Sequence, residues 1–128
     1  MGADGFVLQK ATTVMGQLTN QRLTQIVSEW YDAGEHRQLA VRIVASVLNQ
    51  CTLRIQTSPT RDSAESDGQW RDAVTVSTAT TGANYTLDVS QGATYPLDRF
   101  VRWQVVSDGT VSTPPWVASF WIALVAKK

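Results

Sequence analysis

The sequence predicts an all-β fold, a single antiparallel β-sandwich of about seven to eight strands preceded by an extended N-terminal arm. Three observations carry this. From about Gln21 onward, short runs rich in Val, Ile, Leu, Thr and aromatic residues recur every ten to fifteen residues, each bounded by Gly, Pro, Asn, Asp or Ser. Within the runs, apolar and polar residues alternate, the period of a strand with one buried face. At 128 residues, the chain is the size of one domain with one core.

Residues 1–20 break the pattern. Val7, Ala11, Val14 and Leu18 stand at helical spacing, but Thr12, Thr13, Gly16 and Thr19 make a poor helix. We read this stretch as an extended arm whose apolar residues Phe6, Leu8, Val14 and Met15 lie against the domain or a neighbouring subunit. The sandwich is then residues 21–128.

Strands are expected near residues 22–31, 37–47, 51–57, 70–77, 85–89, 99–107 and 117–126. In the second, Leu39, Val41 and Ile43 share one face and Arg42 lies on the other; in the third, Leu53 and Ile55 point inward while Arg54 and Gln56 point outward. The last strand is apolar on both faces, Phe120, Ile122 and Leu124 on one and Trp121, Ala123 and Val125 on the other, so it is central and covered or exposed at a contact. Asp32-Ala33-Gly34 and Leu48-Asn49-Gln50 read as turns, Asp108-Gly109 as a hairpin turn, and Pro114-Pro115 as the launch of the last strand. The polar stretch 58–69 reads as a surface loop.

Composition narrows function. Lys plus Arg and Asp plus Glu are 11 each, so no net charge draws nucleic acid or an anionic membrane. Charged residues are 17% of the chain, below the roughly 25% of ordinary soluble domains, which leaves a neutral polar surface. The opening residues show no basic segment leading into an apolar one, and no run approaches a membrane span of about 18 apolar residues. The single Cys51 sits in an apolar run and reads as a buried, inert thiol, consistent with a reducing compartment.

Catalytic chemistry is sparse. The one histidine, His36, follows Gly34-Glu35 at a strand entrance and reads as a solvated turn residue, and a dyad with Cys51 lacks any recognisable oxyanion loop. The carboxylates fall almost entirely in turns, where Asp is favoured by local hydrogen bonding. One Cys and one His rule out an ordinary zinc site, and no glycine-rich phosphate loop is present. Asp62, Glu65 and Asp67 beside Gly68 form an acidic loop, the weak candidate for a calcium ion, although the spacing is not that of a calcium-binding loop and Arg61 and Arg71 compete. We expect no catalytic residue and no cofactor.

Two further groups are candidates for contact. Arg42, Arg54 and Arg102, with Gln56 and Gln104 in phase, would form a mixed Arg/Gln platform if they share a sheet face. Trp116, just after Pro115, and Trp121, out of phase with the core, are the tryptophans expected at the surface, whereas Trp103 shares a phase with Val101 and Val105.

The succession GEHRQLAVRIVAS, CTLRIQTSPT, a polar loop ending GQW, then DRFVRWQV and a closing FWIALVAKK resembles the small jelly-roll sandwiches of the galactose-binding-like class. Similar free-standing domains occur among phage and prophage virion proteins, capsid decoration proteins included. The resemblance implies a virion subunit, assembled in the host cytoplasm, that trimerises and clamps neighbouring shell subunits. Its other branch implies a carbohydrate-binding module using loop aromatics. Partners expected on these grounds are further copies of the chain, a major capsid or other virion protein, or a carbohydrate, with neither nucleic acid nor membrane.

Overall fold

The computed structural model describes residues 4–34, 36–60, 70–109 and 115–127. Among them are nine strands: β1 (Asp4–Gly16), β2 (Arg22–Thr24), β3 (Tyr31–Asp32), β4 (Gln38–Asn49), β5 (Cys51–Ser58), β6 (Arg71–Val76), β7 (Thr80–Asp88), β8 (Phe100–Ser107) and β9 (Trp116–Lys127). A single 3-10 turn, Val27–Glu29, lies between β2 and β3. The strands form two antiparallel sheets packed as a sandwich. The first has the order β1-β9-β4-β7; the second has the order β2-β8-β5-β6, with β3 also paired to β8.

Alternation builds the core. Leu39, Val41, Ile43 and Ala45 of β4 and Ala118, Phe120, Ile122 and Leu124 of β9 face inward from the first sheet; Leu53, Ile55, Val74, Val76, Val101 and Val105 answer from the second, all buried. Trp103 packs edge-on against Phe120, ring centroids 4.9 Å apart, across the gap between sheets.

Four expectations need correction. The N-terminal stretch is extended, but residues 4–16 are not outside the sandwich: they are β1, an edge strand paired with β9 from Asp4↔Ala126 to Gly16↔Trp116. Register shifts between Val7 and Gln9 and between Gln9 and Thr12 break its alternation, which is why period-2 reading missed it. They also turn Leu8 into the core, where it is 2% exposed. Gly16 ends the strand against an indole; a Cβ there would stand 2.8 Å from Nε1 of Trp116.

The run 22–31 is not one strand. Gln25 takes the chain off the β8 edge: its N–H donates to the Trp103 carbonyl (3.1 Å), its Oε1 accepts from the Trp103 N–H (3.2 Å), and its Nε2 donates to the Leu8 carbonyl (2.8 Å). The chain then turns and lays Trp30 on the second sheet. Strand β7 begins at Thr80, five residues before the sequence placed it. Finally, Asp108-Gly109 does not close a hairpin. Both edges of β8 are occupied, by β5 on one side and by β2 and β3 on the other, so β9 crosses to the first sheet and inserts between β1 and β4.

Candidate interaction surfaces

The two outer faces of the sandwich differ in kind. On the second sheet, the register Arg54↔Gln104 and Gln56↔Arg102 puts four long polar side chains side by side. Arg102 Nε donates to Gln56 Oε1 (2.9 Å), Gln56 Nε2 to Asp72 Oδ1 (3.0 Å), and Gln104 Nε2 to Thr24 Oγ1 (3.0 Å). Arg54 Nε stands 3.7 Å from Asp72 Oδ2. The platform is covered: Arg102, Gln56 and Gln104 are buried, and the Arg102 guanidinium lies 4.0 Å from the Trp70 ring centroid and 5.2 Å from that of Trp30. Trp30 and Trp70 meet edge to face at 4.8 Å and form a small second core with Phe100. Burial brings the Arg102 guanidinium down to about 10, because water is removed from its charged form.

Among the described residues, none covers the outer face of the first sheet in this way. Cross-strand register places Val7 beside Ala123 and Met15 beside Val117, and β4 adds Ala40 beside Val125 and Val44 beside Trp121. Val7 is 45% exposed, Met15 62% and Val125 36%, while Ala40, Val44, Val117, Trp121 and Ala123 are half-buried among one another. Arg42 is the charged residue in the middle of this face, and it extends over Gly82 of β7. Gly82 has φ +137°, and a Cβ there would stand 2.7 Å from Arg42 Nη2. Two hollows indent the face: one of about 260 Å³ over Ala40, Ala123, Val125 and Thr86, and one of about 400 Å³ over Ala11, Thr13, Val44 and Trp121.

A third feature is a groove of about 580 Å³ along the side of β7 that pairs with no described strand, between Asn84, Tyr85, Thr86 and Asp88 and the loop from Ser90 to Tyr95. Tyr85 and Tyr95 meet edge to face at 5.3 Å beneath it. Its end is closed where the Asp88 N–H donates to the Tyr95 carbonyl and the Leu97 N–H to the Asp88 carbonyl, both 3.0 Å. The Asp88 carboxylate accepts from the Ser90 N–H (2.7 Å) and from Gln38 Nε2 (2.8 Å), which holds its pKa down at about 2.

The residues singled out from sequence are therefore dispersed. Arg54 and Arg102 share a face with Gln56 and Gln104, but Arg42 is on the other sheet, so the three arginines form no common platform. Arg102 is enclosed and offers nothing to solvent. Trp116 is also corrected: it is 1% exposed, with Nε1 donating to Gln21 Oε1 at 3.1 Å. Trp121 lies half-buried within the open sheet face, on the strand where the sequence placed it, and Trp116 stands on the same strand, so neither is a loop aromatic of the kind the carbohydrate-binding branch implies. Leu8 is core, Val14 packs half-buried against it, Met15 is exposed, and Phe6 leans on Tyr31 at 5.0 Å. Asp62, Glu65 and Asp67 lie outside the described residues.

His36 Nδ1 is 2.7 Å from the Ala33 carbonyl, and buried Cys51, its pKa pushed up by desolvation, donates to the Val117 carbonyl at 3.3 Å. Among the described residues, no three His, Cys, Asp or Glu side chains stand close enough together to hold a metal ion. No helix in them is long and apolar enough to cross a membrane. Sequence reasoning missed Val7, Ala40 and Val44 as members of the open face. The signal that was available is the apolar second face of β9, which marks the centre of that surface.

No protein-family model matches the chain, and no curated protein matches it. Among solved structures it is similar to the crystal structure of PBSX exported protein XepA, at 15% sequence identity and a TM-score of 0.47. The alignment covers 97% of this chain and 37% of that one, so the chain spans little more than a third of that protein's length.

Proposed function

We propose that the chain is a non-enzymatic structural protein that works by packing the open face of its first sheet against other protein subunits, and that its setting is a phage-like particle in which it acts as a decoration component clamping neighbouring shell subunits. One observation carries the reading: among the described residues, the polar outer face is covered by the chain's own tryptophans, while the apolar one is left open. A contiguous apolar patch of this kind on a soluble domain marks a contact surface. The affinity of such a face comes from removing apolar area from water at about 25 cal/mol per Å², offset by the cost of association. The particle setting rests on the sequence resemblance and on the neutral charge balance, which suits a subunit seated on protein.

The test is incorporation into particles. Ala123→Lys/Val125→Lys puts two cations into the middle of the face at positions that contribute little to the core. Particles purified from cells producing wild type or variant are assayed for the chain by mass spectrometry. The wild type is expected at stoichiometric level and the variant at least about tenfold lower, with an unchanged circular dichroism spectrum. Wild type absent from particles, or variant retained on them, overturns the reading.

A further inference from the structure

Sheet edges present unpaired N–H and C=O groups, and proteins guard them with charge, proline, bulges or shortness. Three of the four edges here carry such guards. Strand β1 has Lys10 and two register shifts; β2 is three residues long and begins with Arg22; β6 begins Arg71-Asp72 and carries a register shift at Ala73. Strand β7 differs. Between Ala83 and Leu87 it holds no charge, no proline and no register shift against β4.

Which of its groups are free follows from the ladder. In an antiparallel pair, the N–H and C=O of one residue point to the same side, and successive residues alternate. The N–H and C=O of Asp88 both point away from β4, to Tyr95 and Leu97. Thr86 and Asn84, two and four residues back, therefore point the same way, into the groove. The Tyr95–Leu97 strap stops the opening at Asp88, and the positive φ of Gly82 ends the regular strand at the other side. The window is five residues long, with four outward backbone groups.

We infer that this window pairs with the same window of a second copy, antiparallel about a two-fold axis at Tyr85. In that register, Asn84 faces Thr86 of the other copy and Thr86 faces its Asn84, so all four groups of each chain are used. The alternative axis at Asn84 would need Gly82, whose backbone is not extended. A strand occupies about 160 Å³ per residue, from its 3.4 Å rise, 4.8 Å spacing and 10 Å thickness, so the groove of about 580 Å³ holds three to four residues, close to the length of the window. The side chains brought together are an amide and a hydroxyl on the outer face and two tyrosines across the axis, with no like charges opposed. Pairing of identical edges also closes on itself, giving a two-fold dimer that leaves neither copy of this edge free. This differs from the three-fold association that the sequence resemblance implies, and it uses the backbone edge of the first sheet, next to the open face, whose hollow Asn84 and Thr86 also line.

Sedimentation velocity on the full chain from about 10 μM to about 1 mM tests it. The wild type is expected to shift from monomer to dimer across this range. Asn84→Lys/Thr86→Lys, which opposes lysines at both pairs, is expected to stay monomeric, and Asn84→Lys/Thr86→Glu, which opposes Lys to Glu at both, to dimerise at least as tightly as the wild type. Both substituted side chains, Asn84 and Thr86, are exposed, so folding is retained. A wild type that remains monomeric at about 1 mM overturns the inference, including the case in which the groove instead takes a saccharide or a foreign peptide. So does a Lys/Lys variant that still dimerises. Val125→Lys separates this from the open-face reading: it leaves the dimer intact while lowering particle incorporation, and a dimer lost in Val125→Lys but kept in the Lys/Lys variant assigns self-association to the face and overturns the edge.

Discussion

If β1 is part of the sandwich rather than an appendage, shortening one of its side chains must weaken the whole domain. Leu8 is the residue to cut: it is 2% exposed, belongs to the main core, and its carbonyl accepts from buried Gln25 Nε2. Truncating a buried leucine to alanine costs about 2–5 kcal/mol, the transfer of the lost atoms plus the cavity left behind. An edge strand relaxes more readily than a central one, so about 3 kcal/mol is the expected value for Leu8→Ala. With an unfolding entropy of about 2.1 cal/mol/K per residue, the chain has about 0.27 kcal/mol/K, and the loss lowers the melting midpoint by about 11 °C. Met15→Ala, at a site 62% exposed on the same strand, is the control and should stay within about 0.5 kcal/mol of wild type. Equilibrium urea unfolding followed by tryptophan fluorescence gives both numbers, with the m-value showing whether the transition still includes β1. A Leu8→Ala protein indistinguishable from Met15→Ala refutes the assignment and returns residues 4–16 to a dispensable arm.

Trp116→Ala should cost about 3–5 kcal/mol, while Trp121→Ala should cost about 1 kcal/mol and act on particle incorporation; equal losses in calorimetry would contradict their different burial. Arg102→Ala empties the slot between Trp30 and Trp70 and leaves Gln56 Oε1 without its donor, so about 2–4 kcal/mol of stability should be lost, with a change in tryptophan emission; an unchanged spectrum would count against the stacked geometry. Asp88 has a folded-state pKa of about 2, below its unfolded value of about 3.9, so its contribution is fully present above about pH 4 and is lost as pH falls through about 2. The stability gap between wild type and Asp88→Asn should therefore be flat from about pH 8 to about pH 5 and narrow below about pH 4; a gap that widens on acidification reverses the sign and rejects the carboxylate hydrogen bonds as its source.

Much of the sandwich was legible because the sequence alternates apolar and polar residues along Leu39–Ile43, Leu53–Gln56 and Val101–Val105, and alternation follows directly from a pleated strand whose inward face is apolar. What was lost was lost for identifiable reasons. Bulges at Val7–Gln9 and Gln9–Thr12 erased the period in β1. Gln25, polar yet buried, bent a run that alternation read as continuous. Asp108-Gly109 has the composition of a hairpin turn, but pairing depends on which edges are vacant, and that is a property of the assembled sheet. Phase alone also allowed Arg54, Gln56, Arg102 and Gln104 one face, and the register agrees; it could not reveal that Trp30 and Trp70, 72 and 32 residues before Arg102 in sequence, would close over them.

That last point bears on the contact surface. A polar sheet face is ordinarily the one left to water and an apolar face the one that is covered. Here the usage is inverted, and each half of the inversion has a cost. Enclosing Arg102 removes hydration from a cation, a cost that contacts including two indole faces and the Gln56 amide offset in part, and this desolvation is what lowers its pKa. Leaving Val7, Met15 and Val125 in water forgoes burial that a different placement of the segment between β2 and β3 could supply. A sequence whose task was only to fold would gain on both counts by laying Trp30 on the first sheet and solvating the arginine. The bare face is therefore better explained by something outside the chain that covers it than by the needs of the fold, and the same argument predicts that covering it will stabilise the domain: the melting midpoint should rise on assembly in the wild type and stay flat in Ala123→Lys/Val125→Lys.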